Sequence, residues 1–283
     1  MEATTINYDY TLGDVLLKLE DVSLTVETHD GPKTLIHDIN LEEKDVIRPG
    51  IKQGQMIGIV GDSGRGKSTF FKVFSGLVKP TTGYIMIPDG KGGGKEVREG
   101  DVGMVDQKYT LFRDMTIFNA LMFAAKKGGI PKAERKPLVE RYLHDWKLGE
   151  VIHSYPCDCS GGQRQRAAIV QQLLCQKTFI ILDEPTSGLS VRGINDLKEA
   201  INLYCSYGEL NTFIFATHDL NFAVELADQI YVIGYPKNED GMPIKSGTIV
   251  ASYDLKQMGL AWRPFGQGHL DLVRQVSQDI INS

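Results

Sequence analysis

The run Gly61-Asp62-Ser63-Gly64-Arg65-Gly66-Lys67-Ser68-Thr69 follows the apolar stretch Met56–Val60 and leads into a helical one. It fits the phosphate-loop pattern GxxxxGK[ST] in the strand–loop–helix setting that the pattern needs. Each residue type has a physical reason. Gly61, Gly64 and Gly66 let the backbone curl until several N–H groups converge on one anion. The helix from Ser68 to about Gly76 points its positive end at the same place. Lys67 is placed to reach the terminal phosphates of a nucleoside triphosphate, and the Ser68 hydroxyl to coordinate Mg2+.

A phosphate loop does not say what is done with the nucleotide, so the rest of the chain must decide. Gln107 closes the apolar run Val102–Val105. Ser160-Gly161-Gly162-Gln163 precedes a helical stretch from Ala167 to about Gln176. The buried-type strand Phe179–Leu182 ends in Asp183-Glu184, and Thr212–Thr217 ends in His218. In this order and at these spacings the parts resemble an ATP-binding cassette (ABC) ATPase, over about residues 15–255. The segment Tyr109–Phe118 is most similar to importer-type cassettes.

The resemblance implies a P-loop NTPase fold of the α/β class, with an antiparallel β portion and an inserted helical subdomain. It implies ATP held by the phosphate loop and Gln107, and Mg2+ held by Ser68, Gln107 and Asp183. Glu184 would be the general base and His218 the switch residue at the γ-phosphate. Ser160–Gln163 would be the signature that closes the site of a second protomer, giving a homodimer with two composite sites. Strand alternation suits the division of labour, because adjacent Asp183 and Glu184 side chains leave the backbone in different directions. Ser160 can cap its helix while the glycines bare N–H groups for an anion.

At 283 residues the chain holds one cassette, not two. The net charge of −5 argues against a broad basic face for nucleic acid, so no nucleic-acid partner is expected. No stretch reaches the ~18 apolar residues of a spanning helix, and the first residues lack the pattern of a secretory signal. The expected location is cytoplasmic and peripheral, on the inner face of a membrane beside a permease subunit. Cys157 and Cys159 lack the second pair that zinc requires, so the cysteines are read as free thiols.

The expected organisation is a single domain, 1–283, with an α/β core over about 15–108 and 177–255, a helical signature subdomain over about 109–176, and a tail over 256–283. Strands are expected at Val15–Leu19 and Val22–Val26, followed by a turn at Asp30–Pro32, with Lys44–Gly50 as a local interruption. Asp89–Lys95 reads as a hairpin tip. Ile117, Leu121 and Ala124 share one helical face, and Val139, Leu143 and Trp146 another. Pro131 and Pro137 are expected to start or break these helices. Leu270–Ile281 is amphipathic.

Three departures stand out. Cys159 occupies the usual leucine position before the signature, and Ser190 the usual aspartate that couples the two sites. The position for an adenine-stacking aromatic falls at Val26, with His29 a weak substitute. Part of the cluster Tyr109, Leu111 and Phe112 is expected to line a groove that accepts a short helix of a membrane partner; the alternative is that the three pack the subdomain. The resemblance implies an ATP-hydrolysing transporter subunit. The alternative is a soluble cassette that remodels a protein or nucleic-acid complex.

Overall fold

The computed structural model describes residues 8–206, 210–238 and 240–283. Two long strands come first, β1 (Thr11–Thr28) and β2 (Gly31–Ile47), paired antiparallel from Thr28↔Gly31 to Thr11↔Ile47. Gly31, at φ 100°, supplies the left-handed backbone that the tight turn between them needs. Lys44–Ile47 does not interrupt this pairing. Val46 and Ile47 pair with Leu12 and Thr11, so the extra residues lengthen the hairpin and β1 begins before Val15.

Next come β3 (Gln55–Val60), α1 (Lys67–Phe74), β4 (Thr82–Pro88), β5 (Gly94–Glu96) and β6 (Gly103–Val105). β4 and β5 form the hairpin that the glycine-rich run suggests. The Asp89 carboxylate fastens its tip by accepting from the Lys91 and Gly93 N–H groups at 2.7 and 3.0 Å.

Three helices follow: α2 (Ile117–Lys127), α3 (Lys132–Asp145) and α4 (Gly161–Leu174). Pro131 stands at the start of α3, but Pro137 does not break it; the helix runs through to Asp145. Val139, Tyr142 and Leu143 are buried beyond the proline, and their packing holds the helix across the missing hydrogen bond. The chain then lays down β7 (Phe179–Asp183), α5 (Val191–Cys205), β8 (Thr212–Thr217), α6 (Leu220–Leu226), β9 (Gln229–Gly234), β10 (Thr248–Asp254) and α7 (Gln267–Asn282).

The strands form two sheets. One is antiparallel, in the order β2-β1-β4-β5; the other has six strands, in the order β10-β9-β3-β8-β7-β6. In the second sheet β9, β3, β8, β7 and β6 run parallel, and β10 joins as an antiparallel edge. Its strands read as unbroken apolar runs because both faces are covered. On β3, Ile57 and Ile59 enter one core while Met56 and Val60 enter the other. Phe179 and Ile181 on β7 part from Ile180 and Leu182 in the same way, as do Ile214 and Ala216 from Phe213 and Phe215 on β8.

The first core lies between the two sheets, where α1 contributes Phe70, Phe71, Val73 and Phe74. The second lies under α2–α7. The C-terminal amphipathic stretch packs onto this second core. α7 buries His269, Leu272 and Val276 on one face, packed against α6 and β9.

One buried carboxylate has a consequence for stability. The Asp228 side chain accepts from the Met56 N–H at 2.8 Å, and its burial pushes its pKa up to about 6. A carboxyl raised above its unfolded value contributes stability that is present below the unfolded pKa and lost as pH rises through the folded one. Asp228→Asn removes this titration. The stability of the variant relative to wild type should therefore rise between about pH 4 and pH 6, as chemical denaturation across that window would measure. A difference flat in pH would rule this account out.

Candidate functional site

Parallel strands bring their carboxyl ends to one edge, and that is where the sequence motifs meet. The register pairs Val60 with Thr217, Asp183 with Ala216, and Val105 with Leu182. The loops that leave β3, β8, β7 and β6 therefore carry Ser63, His218, Glu184 and Gln107 to a shared cleft. Its lining includes Ser63, Gly64, Gly66, Lys67, Ser68, Thr69, Gln107, Asp183, Glu184 and His218.

The loop needs glycine for close approach as well as for its dihedrals. A Cβ on Gly61 would lie 2.2 Å from the Ile233 carbonyl oxygen, and φ there is 148°. Lys67 folds back over the loop, donating to the Gly61 and Asp62 carbonyls at 2.6 and 3.0 Å. Burial lowers its pKa, opposed by the charges of Glu184, Asp183 and Asp62. The Ser68 hydroxyl donates to Asp183 at 3.3 Å. Burial raises the Asp183 pKa; the Ser68 hydrogen bond opposes this and the neighbouring Glu184 charge adds to it.

Glu184 sits at φ 52°, an uncommon conformation for a non-glycine residue. Its N–H donates to the Ala216 carbonyl at 2.9 Å, which ties the turn to β8. Its carboxylate lies 2.8 Å from His218 Nδ1. An ionised carboxylate only accepts, so against it Nδ1 carries the proton. Gln107 Nε2 donates to the Ser187 hydroxyl at 3.3 Å, and the Tyr109 hydroxyl donates to the Ser187 carbonyl at 3.2 Å. Ser187 thus joins the Gln107 loop to the turn after Asp183-Glu184.

Several sequence candidates lie elsewhere. Gly61, Asp62 and Arg65 shape the loop without lining the cleft. The Arg65 guanidinium packs over the Tyr235 ring at 4.3 Å and donates to the Ser283 carbonyl at 3.2 Å. Ser160, Gly161, Gly162 and Gln163 line a different cleft, together with Ser190 and Arg192. There Ser160 and Gln163 form a reciprocal cap: the Ser160 hydroxyl accepts from the Gln163 N–H, and the Gln163 side chain accepts from the Ser160 N–H at 2.8 Å. Ser190 caps α5 by accepting from the Gly193 N–H at 3.2 Å. Cys159 is buried in the core, its thiol directed at the Tyr155 carbonyl. Val26 packs against the inter-sheet core and His29 is exposed in a turn; neither lines the phosphate-loop cleft.

The aromatic cluster after Gln107 divides. Tyr109 and Leu111 are each 8% exposed and belong to the helical-side core. Phe112 is 39% exposed and meets Phe123 edge-on at 5.4 Å. Among the described residues, no helix is long and apolar enough to cross a membrane.

A family model described as "ABC transporter" matches residues 45–187. The sulfate/thiosulfate import ATP-binding protein CysA of Synechocystis sp. is 34% identical over 209 residues, covering 74% of this chain and 56% of the relative. That of Vibrio vulnificus is 34% identical over 212 residues, covering 72% and 58%. The chain thus spans little more than half the length of these relatives. Among solved structures, cbiO1 from Clostridium perfringens, part of an ABC transporter complex, superposes with TM-score 0.69 at 23% identity, covering 94% of this chain and 96% of that one. A dimeric ATP-binding cassette in a post-hydrolysis state with ADP and Pi gives TM-score 0.63 at 23% identity, covering 88% and 100%.

Proposed function

Because the chain belongs to the ABC transporter family, we propose that it binds and hydrolyses Mg·ATP and so drives a separate membrane permease from the cytoplasmic face. The observation that carries this reading is the meeting of Lys67, the Ser68–Asp183 pair and the Glu184–His218 pair in one cleft beside the phosphate loop. The loop amides and Lys67 would hold the β- and γ-phosphates. Glu184 would take a proton from the attacking water while His218 fixes its carboxylate.

The donor set suits Mg2+, a hard cation that takes one or two protein oxygens beside phosphate and water. Ser68 and Asp183 bring two such oxygens within 3.3 Å, and Gln107 lines the same cleft. Bound there, the ion would neutralise charge developing on the phosphate oxygens.

The signature residues line a separate cleft, so they would act on the nucleotide of a second protomer in a head-to-tail dimer. The importer subunits that the chain resembles favour import as the direction of transport.

The permease contact gives the test. Phe112 is the exposed member of its cluster, so Phe112→Glu should abolish copurification of a membrane partner from native membranes. ATPase rate and melting temperature should stay near wild type. Buried Leu111 could not serve, because a charge there would unfold the helical layer. Intact membrane association of a stable Phe112→Glu protein would remove the docking surface.

A further inference from the structure

The phosphate-loop cleft has a wall that the motifs do not account for. Lys33, Leu35, Tyr235 and Lys245 line it together with the phosphate loop. They come from distant parts of the chain. Leu35 and His37 on β2 are stitched to Gly247 by two backbone hydrogen bonds, Gly247 N–H to Leu35 and His37 N–H to Gly247, both 2.9 Å. That bridge brings the connection between β9 and β10 against the edge of the hairpin, beside the phosphate loop.

The described residues of this connection are tied to one another. Lys237 bridges Pro243, the Ile244 N–H donates to the Pro236 carbonyl at 2.7 Å, and Asn238 Oδ1 accepts from the Met242 N–H at 2.8 Å. Tyr235 is fixed at both ends of its side chain. Its ring lies under the Arg65 guanidinium, and its hydroxyl donates to the Gly64 carbonyl at 3.0 Å.

A nucleotide whose phosphates fill the loop must send its nucleoside half somewhere. Val26, where an aromatic would be sought, packs against the inter-sheet core and does not line the cleft. We propose that Tyr235, with Leu35, Lys33 and Lys245, forms the nucleoside-binding wall, and that Tyr235 takes the stacking role absent at Val26. The ring and Leu35 offer apolar surface to the base, and both lysines offer donors to the acceptor atoms of purine and ribose. The inference rests on the cleft being the ATP site, so the experiment separates the two ideas.

Equilibrium titration with ATP and with inorganic tripolyphosphate, on wild type, Tyr235→Ala and Tyr235→Phe, distinguishes base contact from loop support. Wild type should bind both ligands. Tyr235→Ala should weaken ATP about tenfold, the scale of one lost base–aromatic stack, and leave tripolyphosphate within about twofold. Tyr235→Phe keeps the ring and should bind ATP nearly as wild type does. Equal losses for both ligands in both variants would make Tyr235 a brace for Gly64 and overturn the proposal, as would undiminished ATP affinity in Tyr235→Ala. Wild type that binds neither ligand would overturn the ATP site itself, and this wall with it.

Discussion

Glu184→Gln should lower ATP turnover by about 10²-fold or more while leaving ATP binding intact. The substitution is close to isosteric, so the turn at φ 52° and its N–H bond to Ala216 need not change. A glutamine carbonyl can still accept from His218 Nδ1, which preserves the 2.8 Å contact. What is lost is the ability to take up a proton. ATP should then outlast the encounter between protomers, and gel filtration in Mg·ATP should shift the variant towards a dimer. Wild-type turnover in Glu184→Gln would remove Glu184 from the role of base, whatever the oligomeric state.

The second large effect is on binding. Lys67→Ala should weaken Mg·ATP by at least about tenfold, the scale of a hydrogen bond to a charged group. Lys67 is a buried residue, and its ammonium donates to the Gly61 and Asp62 carbonyls. Bound phosphate oxygens would compete with these two carbonyls for the ammonium. Burial already lowers the Lys67 pKa, so removing the side chain also removes a desolvated charge. The unliganded variant should melt within a few degrees of wild type. Unchanged ATP affinity in that folded variant would sink the phosphate-loop assignment.

The parts legible in the sequence are those whose signal is local. A loop of fixed pattern after Met56–Val60 and carboxylates at the end of Phe179–Leu182 each announce themselves in a few residues. Parallel pairing then does the rest, because strands that share a direction deliver their ends to one edge. Tyr235 and Lys245 were not legible, since a backbone bridge from Gly247 to the Leu35–His37 segment brings them in across some two hundred residues of chain. Ser187 begins the Ser187–Ser190 segment that the resemblance marks, but its bonds to Gln107 and Tyr109 join residues about eighty positions apart and carry no local signal.

Other expectations failed for reasons of packing. Lys44–Ile47 reads as an interruption, yet cross-strand pairing with Thr11 and Leu12 makes it strand. Pro137 reads as a breaker, but buried contacts on the far side hold the helix together. The cluster after Gln107 divides between the two uses open to it: Tyr109 and Leu111 pack the core, and Phe112 is left exposed.

The double commitment of the six-stranded sheet also determines where this chain can change length. Each of its central strands feeds alternate residues to two separate cores, so one residue added to β3 would send Ile57 and Ile59 into the space of Met56 and Val60. It would also displace Gly61 along the strand by about 3.3 Å, out of reach of its neighbours. Such a change cannot be absorbed locally, and both cores would have to be redesigned together. The hairpin tip at Asp89–Gly93 is under no such obligation. It is exposed, it faces neither core, and its turn is closed by the Asp89 carboxylate and one backbone hydrogen bond, from the Asp89 N–H to the Gly93 carbonyl. An epitope or a fluorescent domain belongs there, and so does the length variation that a lineage of such chains can tolerate.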